Sequence, residues 1–501
     1  LENQNCKGGD LMFPEKFLFG ASMAGFQVEM GCEKEDVDLN TDWFVWVREP
    51  ENIITGAVSG HLPEYGVGYW RNYANLHQLA VDFGMNALRI NIEWSRIFPK
   101  ETFSISVQVK GYEQITEIGV THEALKELDE LADKNAVDHY RSILKDMKDR
   151  GLKVILNLSH FTLPLWIHDP VAVHRGKSTE RTGWVNKKTV IEFAKFAAYI
   201  AWKFDDLVDM YSTMNEPNVV SQMGYIMSRF GFPPSYFDPQ MYMNSLLNQA
   251  EAHARAYDAI KAISKKPVGI IYSASVYESI DNDREIEENA TQLMNYSFLD
   301  MIHSGKIFFQ QREDMKNKLD FLGVNYYTRT VIKRTESINF GPVSLDWTIV
   351  EGFGYNCQAG GYSRDMRPVS DFGWEIYPEG LLKVLKQMYE HYKLPIIVSE
   401  NGIADFRDCL RPYYLVGHLY ATEKAIEEGV DVAGYLHWSI VDNYEWARGY
   451  HMRFGLAETD YNTKKFIPRP SMYIFREIAK SHTSKIFLHY LNSPYDIWRL
   501  G

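Results

Sequence analysis

Eight short apolar runs, each of strand length, are spread along the 501 residues with amphipathic segments between them. They are Phe17–Ala21, Ala87–Trp94, Val154–Phe161, Leu207–Glu216, Val268–Val276, Leu319–Tyr327, Pro395–Glu400 and Val432–Ser439. Near-continuous apolar runs mark strands covered on both faces, as in a parallel sheet. Between them, segments such as Ala136–Arg150 and Thr189–Phe204 repeat their apolar residues at the helical period. Eight β–α units without an interrupting linker predict one α/β domain, a (β/α)8 TIM barrel with its helices outside. A doubly wound open sheet is the alternative, but Gly20–Gly25 offers only small residues where that fold places GxGxxG. The domain is expected over 13–490, with an N-terminal extension over 1–12 and a C-terminal tail over 491–501. The stretches 31–70, 101–122 and 328–366 are too long for plain connections. Following strand ends, they are expected to wall the active-site face.

In a barrel of this kind, polar residues at the C-terminal strand ends converge on one pocket. The seventh run stops on Ser399-Glu400-Asn401-Gly402, placing a carboxylate at the strand end before a turn. Alone, Glu400 could equally cap a helix or pair with an arginine. The fourth run repeats the arrangement in Asn215-Glu216-Pro217, and two acids at two strand ends are the equipment of a glycoside hydrolase. The other strand ends supply Gln27, Arg89 with Glu93, His160, Asn325 with Tyr327, and Trp438 leading into Asp442, Glu445 and Trp446. Such donors, acceptors and rings suit a ring of hydroxyls. Taken singly, Gln27 reads as a loop residue, His160 as a core histidine and Asp442 as the anchor of the turn carrying Glu445. It is their convergence that argues for a pocket.

The net charge of −13, with no local Lys/Arg block, argues against a nucleic-acid or anionic-membrane surface. No run of eighteen apolar residues is present to span a membrane, and the first residues lack the apolar core of a signal peptide. Four scattered cysteines (Cys6, Cys32, Cys357 and Cys409) without CxxC spacing indicate neither zinc nor a disulfide framework, and fit a reducing, cytoplasmic compartment. Of the Asn-x-Ser/Thr sequons at Asn157, Asn289 and Asn295, the first lies inside an apolar strand, and the pattern reads as chance.

Several longer words carry a resemblance. They are Phe19-Gly-Ala-Ser with Gln27, the RINIEWSRIFP stretch from Arg89 to Pro99, Thr213-Met-Asn-Glu-Pro217, and Asp320-Phe-Leu-Gly-Val-Asn-Tyr-Tyr327. To these add Asp371-Phe-Gly-Trp374, Ser399-Glu-Asn-Gly402, and Trp438 to Trp446 with Arg453-Phe-Gly455. From about residue 13 to 478 the chain resembles the retaining β-glycosidases of glycoside hydrolase family 1, most closely their archaeal branch of β-glucosidases and β-galactosidases. The resemblance implies Glu400 as nucleophile and Glu216 as acid/base, with Arg89, Tyr327 and Asn325 supporting the nucleophile. It implies Gln27, His160, Asn215, Glu445 and Trp446 around the sugar, Trp438 beneath it, Trp374 on the leaving-group side, and Phe454 in the substrate-binding set. It further implies activity on terminal β-D-glucosides and β-D-galactosides, with fucosides, mannosides and transglycosylation within reach. No cofactor or metal is implied, and the expected partners are a small β-glycoside and copies of the chain in a homo-oligomer, a tetramer by analogy.

Two departures from the family words stand out. Phe161 follows His160 where the family generally has Trp, which keeps a ring but loses an N–H donor, and Ser399 stands where Thr is usual. A metal-dependent hydrolase would want His-x-His on the first strand, which Phe17–Ala21 lacks. A non-catalytic sugar-binding relative would lack one of the two carboxylates, and both are present.

Overall fold

The computed structural model describes residues 12–340 and 343–491, so the expected extension and tail fall, apart from Met12 and Leu491, outside the described residues. Eight parallel strands close into a barrel: β1 Leu18–Ser22, β2 Ala87–Asn91, β3 Lys153–Asn157, β4 Met210–Asn215, β5 Val268–Ser273, β6 Phe321–Asn325, β7 Ile396–Asn401 and β8 Val432–Trp438. Each lies within, or one residue outside, a run expected from the sequence. The barrel closes where β1 pairs with both β2 and β8, Gly20 facing Ala87 on one side and Leu436 on the other.

Each strand is followed by an outer helix: α1 Tyr69–Asp82, α2 Lys134–Asp149, α3 Lys188–Phe204, α4 Pro239–Lys261, α5 Ser297–His303, α6 Pro378–Tyr392, α7 Arg411–Glu427 and α8 Pro470–Ser481. The second shows why such segments are helical. Asp133 caps it by accepting from the Ala136 amide, and Val137, Tyr140, Ile143, Leu144 and Met147 form one buried stripe. Gly151, at φ 80°, then releases the chain toward β3.

The strand period of two sorts the barrel interior into layers. Ala87, Ile155, Phe321, Ile397 and Leu436 pack together as an apolar floor. Two residues further along their strands stand Arg89, Asn157, Ser399 and Trp438, so the polar layer begins one step nearer the C-terminal ends. There the pairing register shifts at Ser212/Asn215, Val324/Asn325 and Val398/Asn401. Such irregularities re-aim side chains at barrel rims, here on the strands that carry Glu216 and Glu400.

The insertions only partly wall this face. From 31–70, Trp43 packs against Trp446 at 4.7 Å, and from 328–366, Tyr355 packs against Trp374 at 5.3 Å. The stretch 101–122 departs from expectation. Thr102 bonds Glu192 and accepts from Lys195 on α3, while the Ile115 amide donates to Glu251 on α4 and its carbonyl accepts from Arg255. It straps the outside of the barrel, because its polar partners lie on α3 and α4 and, through the Ile115 carbonyl, at Arg312 in the connection after α5. No helix among the described residues is long and apolar enough to cross a membrane, and Cys32, Cys357 and Cys409 are free thiols.

Candidate active site

Arg89, rising from the barrel interior on β2, is fully buried and organises the floor of the pocket. Its Nη1 donates to Glu400 Oε1 at 2.6 Å, and its Nη2 donates to Asn215 Oδ1 at 2.7 Å. The Tyr327 hydroxyl donates to the other Glu400 oxygen at 2.7 Å. Both oxygens of Glu400 are therefore held, which fixes the carboxylate plane. Behind it, Gly402 is forced, since a Cβ there would lie 1.7 Å from the Trp438 carbonyl oxygen.

Glu216 has a different environment. Asn325 Nδ2 donates to its Oε1 at 2.7 Å, and among the described residues no cation forms an ion pair with it. Burial, with the nearby Glu400 charge second, pushes its carboxyl up to about 8. It precedes Pro217 at the head of a short helix, Pro217–Tyr225, and its own backbone is left-handed at φ 49°.

His160 is buried beside Arg89, and both effects hold its imidazole well below the usual range, so it is neutral. Arg89 Nη2 lies 3.2 Å from its Nδ1, and Asn215 Nδ2 lies 3.1 Å from its Nε2. Both neighbours are donors and a neutral imidazole has one acceptor nitrogen, so the ring accepts on one side and carries its N–H on the other.

Across the pocket Gln27 Nε2 donates to Asn443 Oδ1, to the Tyr444 carbonyl at 2.9 Å and toward Glu445 Oε2 at 3.2 Å. Burial and the Glu400 charge push Glu445 up to about 8, against hydrogen bonds from Gln27 and Trp438. Asp442 is the anchor of this turn: Arg469 binds both its oxygens, at 2.9 and 2.8 Å, and the Gly455 amide donates to it at 3.0 Å.

Aromatic rings fill the remainder. Trp446 stacks on Phe26 at 5.7 Å and meets Phe161 at 5.0 Å and His160 at 5.8 Å, while Trp438 lies 5.7 Å from His160. A second group joins Trp374 to Phe372 at 4.4 Å, Tyr327 at 5.1 Å and Phe454 at 5.9 Å. The structure thus gathers every expected site residue at one mouth. The supporting roles of Trp43, Phe26, Asn443 and Tyr355 were not read from the sequence; only the adjacency of Phe26 to Gln27 hinted at one of them. Phe161 (φ 70°), Glu216 and Trp446 (φ 46°) all hold left-handed backbone. Each costs about 1–3 kcal/mol and persists only where surrounding contacts over-determine it.

The sequence profile of glycosyl hydrolase family 1 matches residues 10–117 and 129–484. The chain belongs to glycosyl hydrolase family 1. It is 50% identical to a beta-galactosidase of Saccharolobus solfataricus, over 96% of this chain and 98% of that one. A beta-galactosidase of Pyrococcus woesei is 46% identical, over 95% and 99%. Among solved structures, the beta-glycosidase from Thermosphaera aggregans superposes with a TM-score of 0.89 at 47% identity, covering 94% of this chain and 97% of that one. This family 1 member is therefore an O-glycosyl hydrolase, a retaining β-glycosidase on a (β/α)8 barrel.

Proposed function

We propose that the enzyme hydrolyses terminal, non-reducing β-D-glucosides and β-D-galactosides by double displacement, with Glu400 as nucleophile and Glu216 as acid/base. The observation that carries this reading is the asymmetry between the two acids. Glu400 receives Arg89 at 2.6 Å and Tyr327 at 2.7 Å, whereas Glu216 receives the neutral Asn325 amide and is pushed up to about 8. Two carboxyl groups with opposed environments divide the nucleophile and acid roles. Glu400 attacks the anomeric carbon while Glu216 gives its proton to the departing oxygen, leaving a glycosyl ester. Glu216, now ionised, takes a proton from water as that water attacks the ester, and both side chains return to their starting states. Another alcohol in place of water gives transglycosylation.

Gln27, His160, Asn215, Glu445 and Trp446 bind the sugar over Trp438, with Trp374 and Phe454 toward the leaving group. Support for the substrate class comes from relatives named beta-galactosidase and, in Thermotoga maritima at 26% identity, beta-glucosidase A. Glu445 beside Gln27 offers acceptor and donor together, which suits a hydroxyl in either orientation. The domain assignment of 13–490, a homo-oligomeric state and a cytoplasmic setting belong to the same reading. The second draws on a relative whose structure is described as a beta-glucosidase mutant derived from a hyperthermophilic tetrameric structure, the third on the free thiols of Cys32, Cys357 and Cys409.

The test is a rate comparison on aryl β-glucoside, galactoside, mannoside and fucoside, with a 2-deoxy-2-fluoro-β-glycoside as trap. Turnover of the first two and a mass label on Glu400 are expected. A label on Glu216, or no turnover of either sugar, would refute the assignment.

A further inference from the structure

The turn His160–Phe161–Thr162 is held by a buried residue, Glu93. The Thr162 amide donates to the His160 carbonyl at 2.9 Å, closing a γ-turn around Phe161 at φ 70°. A γ-turn with positive φ at a bulky centre is the rarer, strained form, so something outside the turn must pin it. Thr162 Oγ1 bonds Glu93 Oε2 at 2.6 Å. The other oxygen of Glu93 accepts from the Phe26 amide at 2.8 Å, one residue before Gln27, and from Asn91 Nδ2 at 3.0 Å.

Glu93 is itself fixed from behind. Its amide donates to the Tyr140 hydroxyl at 3.0 Å, that hydroxyl donates to Glu29 at 2.7 Å, and Arg96 binds Glu29 at 2.6 Å. Glu93, Thr162, Glu29 and Tyr140 are all buried. Gly25 makes room for the arrangement: a Cβ there would lie 2.8 Å from both Glu93 Oε1 and Glu29 Oε1.

We propose that Glu93 is a positioning residue for the sugar subsite, setting the strained His160–Thr162 turn and the Gln27 segment in register through one side chain that never touches substrate. The proposal rests on the reading that Gln27 and His160 bind the sugar. Burial, with Glu29 second, pushes the Glu93 carboxyl up to about 8. Near neutral pH a glutamine is thus a close replacement, matching its size and its lack of charge.

Glu93→Ala, Glu93→Gln, Thr162→Val and Gly25→Ala are compared with wild type by kcat/KM on aryl β-glucosides of graded leaving-group acidity. Beside these stand the inhibition constant of glucono-1,5-lactone, which fills the sugar site without an aglycone, and Tm. Glu93→Ala is expected to lower kcat/KM about a hundredfold, the size that a small misplacement of binding groups brings. Thr162→Val, losing one hydrogen bond, should lower it about tenfold. Both should weaken the lactone in step and leave the dependence on leaving group unchanged, while Glu93→Gln stays within about threefold, below the worth of a single buried hydrogen bond. Gly25→Ala should weaken the lactone with Glu93 intact. A Thr162→Val enzyme that binds the lactone as wild type does, or a fall in Tm with lactone binding unchanged across the set, overturns the proposal. A wild type inert toward every β-glycoside would instead remove the functional reading, and this proposal with it.

Discussion

Asn325 donates to Glu216 Oε1 at 2.7 Å, and its own Oδ1 accepts from the hydroxyl of Ser399, the residue before Glu400, at 2.8 Å. One amide therefore spans the strands that carry the two acids, and it tunes one of them. Its N–H favours the ionised form of Glu216, opposing burial and the Glu400 charge. Replacing Asn325 by Ala removes that donor and should raise the Glu216 value further. The basic limb of kcat/KM on an alkyl β-glycoside, which needs the acid, should then move up by about one on the pH scale, since one pKa unit is worth ~1.4 kcal/mol. A downward move would contradict the assignment of Glu216 as the acid.

Stability should vary with pH in a direction set by the raised acids. Glu93, Glu216 and Glu445 each rise from 4.5 to about 8 in the folded protein. Between the two values the native state binds protons that the unfolded chain releases, so their contribution falls as pH rises. Buried histidines act oppositely at lower pH. His77 and His253 drop from 6.5 to about 4, so they favour the native state as pH climbs to 6.5. From about 6.5 to 8 only the carboxyls are still titrating among these groups. Tm measured without substrate should decline across that window, and more gently in Glu216→Gln.

The order of the two displacements is visible in rescue chemistry. Glu216→Ala leaves Glu400 able to form its ester from substrates with good leaving groups, so added azide should yield the β-glycosyl azide. Glu400→Ala plus azide is a single displacement and should yield the α-anomer. Proton NMR of each first product reads the outcome, and exchanged anomers would reverse the two roles.

Phe161 fills the place of an indole with a smaller ring. It packs on Trp446 at 5.0 Å and Phe232 at 5.3 Å, beside a small cavity lined by Trp43, Leu163, Val220 and Phe232 together with Asp42 and His168. Phe161→Trp adds one N–H donor, and the cavity can take up part of the added bulk. It should raise kcat/KM for some sugars by up to about tenfold, the worth of a typical net hydrogen bond. Uniform loss across the four aryl glycosides would show instead that the neighbouring rings are set to the size of Phe.

The strands were readable because parallel strands buried on both faces cannot avoid being continuously apolar, and the acids were readable because they end such strands. Glu93 shows where that reading stops. Two residues past the end of β2 it no longer obeys the strand period, and its partners Phe26 and Thr162 lie 67 and 69 positions away. The γ-turn at Phe161 is equally silent in the sequence, because nothing about Phe favours positive φ; tertiary contacts impose it. The stretch 101–122 was misplaced for a related reason. Its length announced an insertion, but its path follows from Glu192, Lys195 and Glu251 on distant helices.

That outer strap has a practical consequence. Its hairpin, Gln108–Lys110 paired with Glu117–Gly119, carries Tyr112 at its tip with 77% of its surface free. Its polar anchors lie on α3, on α4 and at Arg312, and none is an expected site residue. A bead, electrode or fluorescent dye tethered through residue 112 would leave the mouth unobstructed for bulky glycosides. An immobilised catalyst joined there should process long aglycones at the same relative rates as the free enzyme.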